Sequence, residues 1–354
     1  MRLGICGWSQ SGKSTVFDCL THAASARNIQ GKARLGAAHV GDERVDWLAE
    51  LFKPKKITYA TVEYVDLPGL VAGPRAHDVN PSTLADVRQS DALIAVVRAF
   101  KNETVPCPFD DVDPVRDFSN LADELIFADL EMAERRIERL EKDIQKPTPH
   151  REQIKLELAT LKRIVEALEE GRGANSVEMS NIEEKAVRGF RFLTAKPLLV
   201  LLNTGEESLG EKLPWGEADF GHPVMEMCAR LEFELEQLGE DEAAEFADEM
   251  GLETLAAPGV VKKCYAMLDL ISFLTGGEKE CRAWTIKRGT TAVEAAGTIH
   301  SDIQRGFIRA QVTAFADLKE LGSFKEARAK GKLRLEGKEY VVEDGDEIEF
   351  RFNV

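Results

Sequence analysis

A doubly wound α/β domain, split by an inserted helical hairpin and followed by a small α+β module, is the architecture this 354-residue chain predicts. Three observations predict it. Continuous apolar runs alternate with helical stretches over residues 1–117 and 196–276. A heptad pattern on both sides of a proline-rich turn occupies residues 118–195, and short β-like runs separated by turns fill residues 277–354.

In order, Leu3-Gly4-Ile5-Cys6 reads as a short buried strand entering a glycine-rich turn, and "STVFDCLTHAA" after it reads as a helix. "ATVEYVDLPG", "DALIAVVRAF" and, about a hundred residues later, "KPLLVLLN" are further strands. Their unbroken apolar character suits central parallel strands covered by helices on both faces. Between the last two, Ile126, Leu130, Ala133, Ile137, Leu140 and Ile144 are spaced alternately by four and three. After "KPTPH" the spacing resumes at Ile154, Leu158, Leu161, Val165 and Leu168. Two such helices joined by a short turn predict an antiparallel coiled-coil hairpin. Beyond Gly276-Gly277, "RAWTI", "IRAQVTA", "GKLRLEGKEYVV" and "DEIEFRF" alternate with turns around one helix, "TAVEAAGTIH", compatible with a ubiquitin-like β-grasp. The acidic run "EFELEQLGEDEAAEFADEM" reads as a solvated helix face.

Composition narrows the function classes. With 46 Lys+Arg against 62 Asp+Glu, the net charge of −16 argues against general, counterion-driven binding to nucleic acid. A local basic face remains open, since residues 276–340 hold thirteen Lys/Arg against nine Asp/Glu. Cysteines 6, 19, 107, 228, 264 and 281 form no C-x-x-C pair, which argues against a disulfide framework or a zinc site. The opening residues lack the basic and apolar regions of a secretory signal, and no apolar run reaches membrane-spanning length. The expectation is a soluble, cytoplasmic protein without a membrane partner.

Three motifs carry chemistry. Gly7-Trp8-Ser9-Gln10-Ser11-Gly12-Lys13-Ser14 fits G-x-x-x-x-G-K-[ST] between a strand and a helix, the context that makes it a phosphate-binding P-loop. Backbone N–H groups from Gly7 to Thr15 would cradle phosphate, Lys13 would place its charge between the β- and γ-phosphates, and the Ser14 hydroxyl would reach Mg²⁺. Asp66-Leu67-Pro68-Gly69 follows an apolar strand. Asp66 is placed to hold the metal, and Gly69 to let a backbone N–H approach the γ-phosphate. Lys13, Asp66 and Gly69 are therefore the catalytic candidates, and Ser14 and Asp66 the metal candidates. The third motif, Asn203-Thr204-Gly205-Glu206, stands where many nucleotide switches read guanine with Asn-Lys-x-Asp. Glu206 is one methylene longer than that aspartate and cannot accept the guanine N1 and 2-amino pair in the same place, which favours relaxed purine specificity and ATP.

On these residues the chain resembles the YchF (Obg-like ATPase) family of Obg-related P-loop NTPases of the TRAFAC class, over nearly its whole length. The resemblance rests on the P-loop, on "DLPGLV" from Asp66, on N-x-x-E at Asn203, on the helical insertion and on the C-terminal segments from "RAWTI" onward, which are similar to a TGS domain. It implies ATP hydrolysis in preference to GTP, association with ribosomes, and Cys228-Ala229 as the loop closing over the base. It further implies an Mg-nucleotide site at Gly7, Gln10, Ser11, Gly12, Lys13, Ser14, Thr15, Asn203, Thr204, Glu206, Cys228 and Ala229. The chain departs from the family's pattern at Gln10 and Ser11, where Asn-Val is usual, and at Cys107, where a histidine is usual. It also departs over residues 27–40, which contain no threonine or serine to ligate Mg²⁺. His77 is a water-orienting candidate by location alone. The expectation is an ATPase, slow or partner-stimulated. The alternatives are a non-hydrolysing, nucleotide-dependent module that binds ribosome or RNA through the TGS domain and coiled coil, and a GTPase.

Overall fold

A computed structural model describes residues 1–22, 33–71, 81–109, 111–147, 149–209, 215, 221–238, 242, 250 and 254–353. Their strands, in chain order, are β1 (Arg2–Cys6), β2 (Arg34–Val40), β3 (Ile57–Thr58), β4 (Ala60–Asp66), β5 (Ala92–Ala99), β6 (Leu198–Thr204), β7 (Val224–Met227), β8 (Leu270–Thr275), β9 (Cys281–Lys287), β10 (Phe307–Ala314), β11 (Arg334–Glu336) and β12 (Asp346–Phe352). They form two sheets, ordered β2-β4-β1-β5-β6-β7 and β11-β10-β12-β8-β9-β3.

In the first sheet β1 pairs in parallel with β4 and β5, β5 with β6, and β6 with β7. Every residue of β5 and β6 is buried, which accounts for their unbroken apolar sequences. The order turns back beside β1, and such a reversal opens a ligand crevice at the carboxyl ends of the strands. The P-loop, Asp66 and Asn203 all stand at those ends.

The hairpin is made by helices Pro114–Asp143 and Arg151–Glu169. The first starts cleanly because Pro114 needs no helical N–H partner and the Asp113 side chain accepts from Arg116 N. Ala133, Leu140, Leu161, Ile164 and Leu168 are buried between the helices, with Leu130, Ile137, Ile154, Leu158 and Val165 packed against them, as the heptads predict. Arg136 and Glu157 join the helices by two hydrogen bonds of 2.8 and 3.0 Å. At the base, the fully buried Asp129 accepts from Arg88 Nη1 (2.6 Å), Leu193 N (3.0 Å), Thr194 N (2.8 Å) and Thr194 Oγ1 (2.8 Å).

In the second sheet β8 and β9 form an antiparallel pair, β12 runs parallel to β8, and β10 is antiparallel to β12 and β11. Helix Ala292–Ile299 supplies Ala292, Ala295 and Ala296 to a core shared with Ile271, Phe273, Val312 and Ile348. Its start carries a capping box between Thr291 and Glu294. This is the ubiquitin-like arrangement expected from the alternating C-terminal runs.

Backbone contacts divide the chain into two units, Met1–Gly36 with Glu63–Ala257 and Ala37–Val62 with Pro258–Val354. The sequence boundaries are corrected accordingly. Leu270–Thr275 lies in the stretch that the sequence assigns to the nucleotide-binding domain, but its hydrogen bonds go to β9 and β12. Ile57–Thr58 likewise pairs with Cys281–Arg282. The hairpin remains within the first unit rather than forming a unit of its own.

Candidate functional site

The loop after β1 wraps tightly because its residues permit it. Gly12 has φ 89°, and a Cβ there would lie 2.0 Å from Asn203 Nδ2. Gly7 has φ 143°, and a Cβ would meet the Val96 carbonyl oxygen at 2.4 Å. Gln10 takes φ 64° with a full side chain, in the left-handed region that asparagine enters more easily. Lys13 begins helix Lys13–Thr21 and donates from Nζ to the Trp8 carbonyl at 2.6 Å, closing a ring across the loop. It is only 6 % exposed. Burial pushes its pKa down to about 8, against the opposing pull of Asp66.

The D-x-x-G segment is stitched to this loop. Leu70 N donates to the Gly7 carbonyl at 3.0 Å, and Ser9 N donates to the Leu70 carbonyl at 2.7 Å. At Gly69 a Cβ would lie 2.9 Å from Ser9 Cα and 3.0 Å from Lys13 Nζ. Gly69 is therefore required by close approach, the property a γ-phosphate sensor needs. Ser14 Oγ donates to Asp66 Oδ2 at 2.9 Å. A hydroxyl and a carboxylate are hard oxygen donors that suit Mg²⁺ and leave further positions to phosphate and water. The two residues therefore fit that ion. Arg34, at the start of β2, also donates to Asp66 Oδ2.

A cavity of about 600 Å³ continues from Gly12 and Thr15 to Asn203, Thr204, Glu206 and Cys228. Its volume lies in the range of small-molecule sites. Buried Asn203 donates from Nδ2 to the Ser11 carbonyl at 3.0 Å and accepts from Ala229 N at 3.3 Å. One amide thus braces the phosphate loop and fixes the loop of Cys228 and Ala229. Burial raises the Cys228 thiol above its ordinary range. Glu206 is exposed at the mouth, and Glu207 lies over Gly205, with a carboxylate oxygen 2.2 Å from where a Cβ would stand.

Gly7, Gln10, Ser11, Gly12, Lys13, Ser14 and Thr15 therefore share one loop and helix start, with Asp66 and Gly69 beside them. Asn203, Thr204, Glu206 and Cys228 line the continuous cavity, and Ala229 is tied to Asn203. Sequence reading missed Phe100, Arg230 and Phe233 in the lining because no motif marks them. It also missed Glu232, whose buried carboxylate accepts from Ala256 N (2.8 Å) and Ala257 N (2.9 Å) rather than lying on a solvated face. His77 falls outside the described residues. Cys107 is partly buried, and no helix among the described residues is long and apolar enough to cross a membrane.

A crevice running from a phosphate-cradling loop to an amide at the end of β6 defines a P-loop nucleotide-binding fold. Comparison with known proteins makes the class specific. Residues 270–353 match the family model described as "YchF-GTPase_C: Protein of unknown function (DUF933)". The "Ribosome-binding ATPase YchF" of Haemophilus influenzae is 37 % identical over 364 residues, covering 100 % of this chain and 99 % of the relative. The protein of that name from Bacillus subtilis is 37 % identical, covering 99 % of each chain. "Obg-like ATPase 1" of Oryza sativa subsp. japonica is 37 % identical, covering 100 % of this chain and 92 % of the relative. The solved structure of the Schizosaccharomyces pombe YchF GTPase superposes with a TM-score of 0.86 at 30 % identity, covering 99 % of this chain and 97 % of that one. The chain belongs to the YchF (Obg-like ATPase) family.

Proposed function

We propose that this protein binds purine nucleotide with Mg²⁺, prefers ATP, hydrolyses it slowly or with partner stimulation, and acts as a nucleotide-dependent switch on the ribosome. The observation that carries the reading is the single cavity joining the P-loop at Gly12 and Thr15 to Asn203 and Glu206. Lys13 and the loop N–H groups take the phosphates, Ser14 and Asp66 hold Mg²⁺, and Gly69 reports the γ-phosphate. The bound ion would neutralise charge on the transferred phosphoryl group; the chain's residues position it. Glu206, exposed at the mouth, supports adenine tolerance, since the guanine-specific pair of hydrogen bonds needs a shorter acid held in place.

The ribosome reading follows from relatives whose names carry it. It is supported by a groove of about 770 Å³ along the hairpin, where Arg139 and Arg191 lie beside Arg88, Arg135 and Arg136, the last three ion-paired to Asp129, Glu131 and Glu157. Such clustering in a chain of net charge −16 suits a local phosphate-facing surface. The C-terminal unit, assigned here as a TGS-type module, is the second candidate contact.

A GTPase is the second reading, favoured by the likeness to the Schizosaccharomyces pombe YchF GTPase. Affinity for non-hydrolysable ATP and GTP analogues, paired with single-turnover hydrolysis of each nucleotide, separates the possibilities. ATP should bind more tightly and turn over. Preference for GTP would reverse the base assignment. Tight binding without turnover would leave occupancy alone as the signal.

A further inference from the structure

The metal corner of the site holds a cation of the chain's own. The Arg34 guanidinium donates to Asp66 Oδ2 from Nε (3.0 Å) and Nη2 (2.9 Å), to Asp18 Oδ1 from Nη1 (2.9 Å), and to the Ser14 carbonyl from Nη2 (3.2 Å). It lies over the Phe17 ring, 4.6 Å from the centroid, and its side chain is 11 % exposed. The seat is built by backbone packing. At Gly36, two residues along β2, a Cβ would come within 2.8 Å of both Phe17 Cζ and Thr21 Cγ2. A side chain there would push β2, and Arg34 with it, away from helix Lys13–Thr21.

The oxygen suited to the metal is therefore already engaged. Asp66 Oδ2 accepts from Ser14 Oγ as well as from two nitrogens of Arg34. A guanidinium stays charged throughout the accessible pH range, so it cannot yield by losing a proton. Two cations held at one carboxylate repel strongly in a partly buried site. Residues 27–40 contain no serine or threonine, so that stretch offers no side-chain hydroxyl to the ion.

We propose that Arg34 competes with Mg²⁺ for Asp66, so that the divalent ion enters the nucleotide site only as the guanidinium leaves that carboxylate. This rests on the nucleotide-binding reading above. Magnesium occupancy then becomes a switch set within the first unit, and whatever draws Arg34 away from Asp66 raises the affinity for the ion.

The test uses the full chain and a fluorescent non-hydrolysable ATP analogue. Bound analogue is titrated with Mg²⁺ from a chelator-treated start, and the midpoint is read for the natural protein and for Arg34→Gln. Loss of a charge-assisted, two-pronged contact should lower the midpoint about tenfold. An unchanged or raised midpoint overturns the proposal. Thermal melting checks that the variant folds. Should it not, Phe17→Leu removes the ring beneath the guanidinium, and its midpoint should fall about threefold. An unchanged midpoint there overturns the proposal equally. Absence of analogue binding with and without Mg²⁺ would sink the nucleotide reading and this inference together, whereas binding with a natural midpoint in the folded variant sinks only this inference.

Discussion

Lys13 shows how burial tunes the ammonium proposed to bind phosphate. Its ammonium is held at about pKa 8 because desolvation outweighs the attraction of Asp66. If, as proposed, the charged form is what binds phosphate, nucleotide affinity should fall as pH rises through 8 and be nearly flat below 7. Calorimetry in buffers of different ionisation enthalpy should show net proton uptake on binding near the midpoint of that fall. In the second unit, Glu347 has the opposite problem. Its carboxyl is pushed from 4.5 up to about 8, first by burial, against the hydrogen bond from Gly276 N and with the aid of Glu349. Between these values the unfolded chain releases a proton that the folded chain keeps, so stability falls as pH rises across the interval. Glu347→Gln should therefore raise the melting temperature by several degrees at pH 8 and leave it nearly unchanged at pH 4. Equal gains at both pH values would assign the effect to packing instead.

Among the elements, Asp129 joins helix Pro114–Asp143 to Arg88 and to the return segment at Leu193 and Thr194. Asp129→Ala leaves the donors from Arg88, Leu193 and Thr194 without their acceptor in a buried place. It should cost about 3–5 kcal/mol in urea denaturation. A cost below about 1 kcal/mol would mean that the latch is incidental. Which elements could be read from sequence follows from how they are buried. Fully enclosed β5 and β6, and the two-sided heptads of the hairpin, write their environment into a continuous or periodic apolar pattern. The edge strand β2 does not, because "RLGAAHV" mixes an arginine, a glycine and alternating exposure. Leu270–Thr275 announces burial but not its sheet partners, which is why sequence places it in the wrong unit. At the site, the phosphate loop and Asn203 were legible because backbone chemistry demands those residues at those spacings. Arg34, Phe100 and Phe233 arrive through tertiary approach alone.

For the molecule as a whole, ligand binding and fold stability are linked. Nucleotide at a hundredfold excess over Kd should stabilise the folded chain by about 2.7 kcal/mol. Hydrogen exchange should locate the added protection at residues 7–15, 66–70 and 203–206, the segments that meet around the phosphate loop. Protection confined to the second unit would displace the site from the crevice. The net charge of −16 further predicts weak, shallowly salt-dependent binding to generic duplex DNA. Nucleic-acid contact should depend on local clusters such as the arginines along the hairpin.

That same hairpin, latched at Asp129 and ordered by alternating four- and three-residue steps, also works as a ruler. Each seven-residue block sets its reach by about 10 Å along the helix axis while keeping the same face turned inward. Length can therefore be added or removed in matched blocks without rotating the tip, whereas a deletion of any other size turns the outer surface to a new bearing. The reach of the hairpin is, in this sense, counted in heptads.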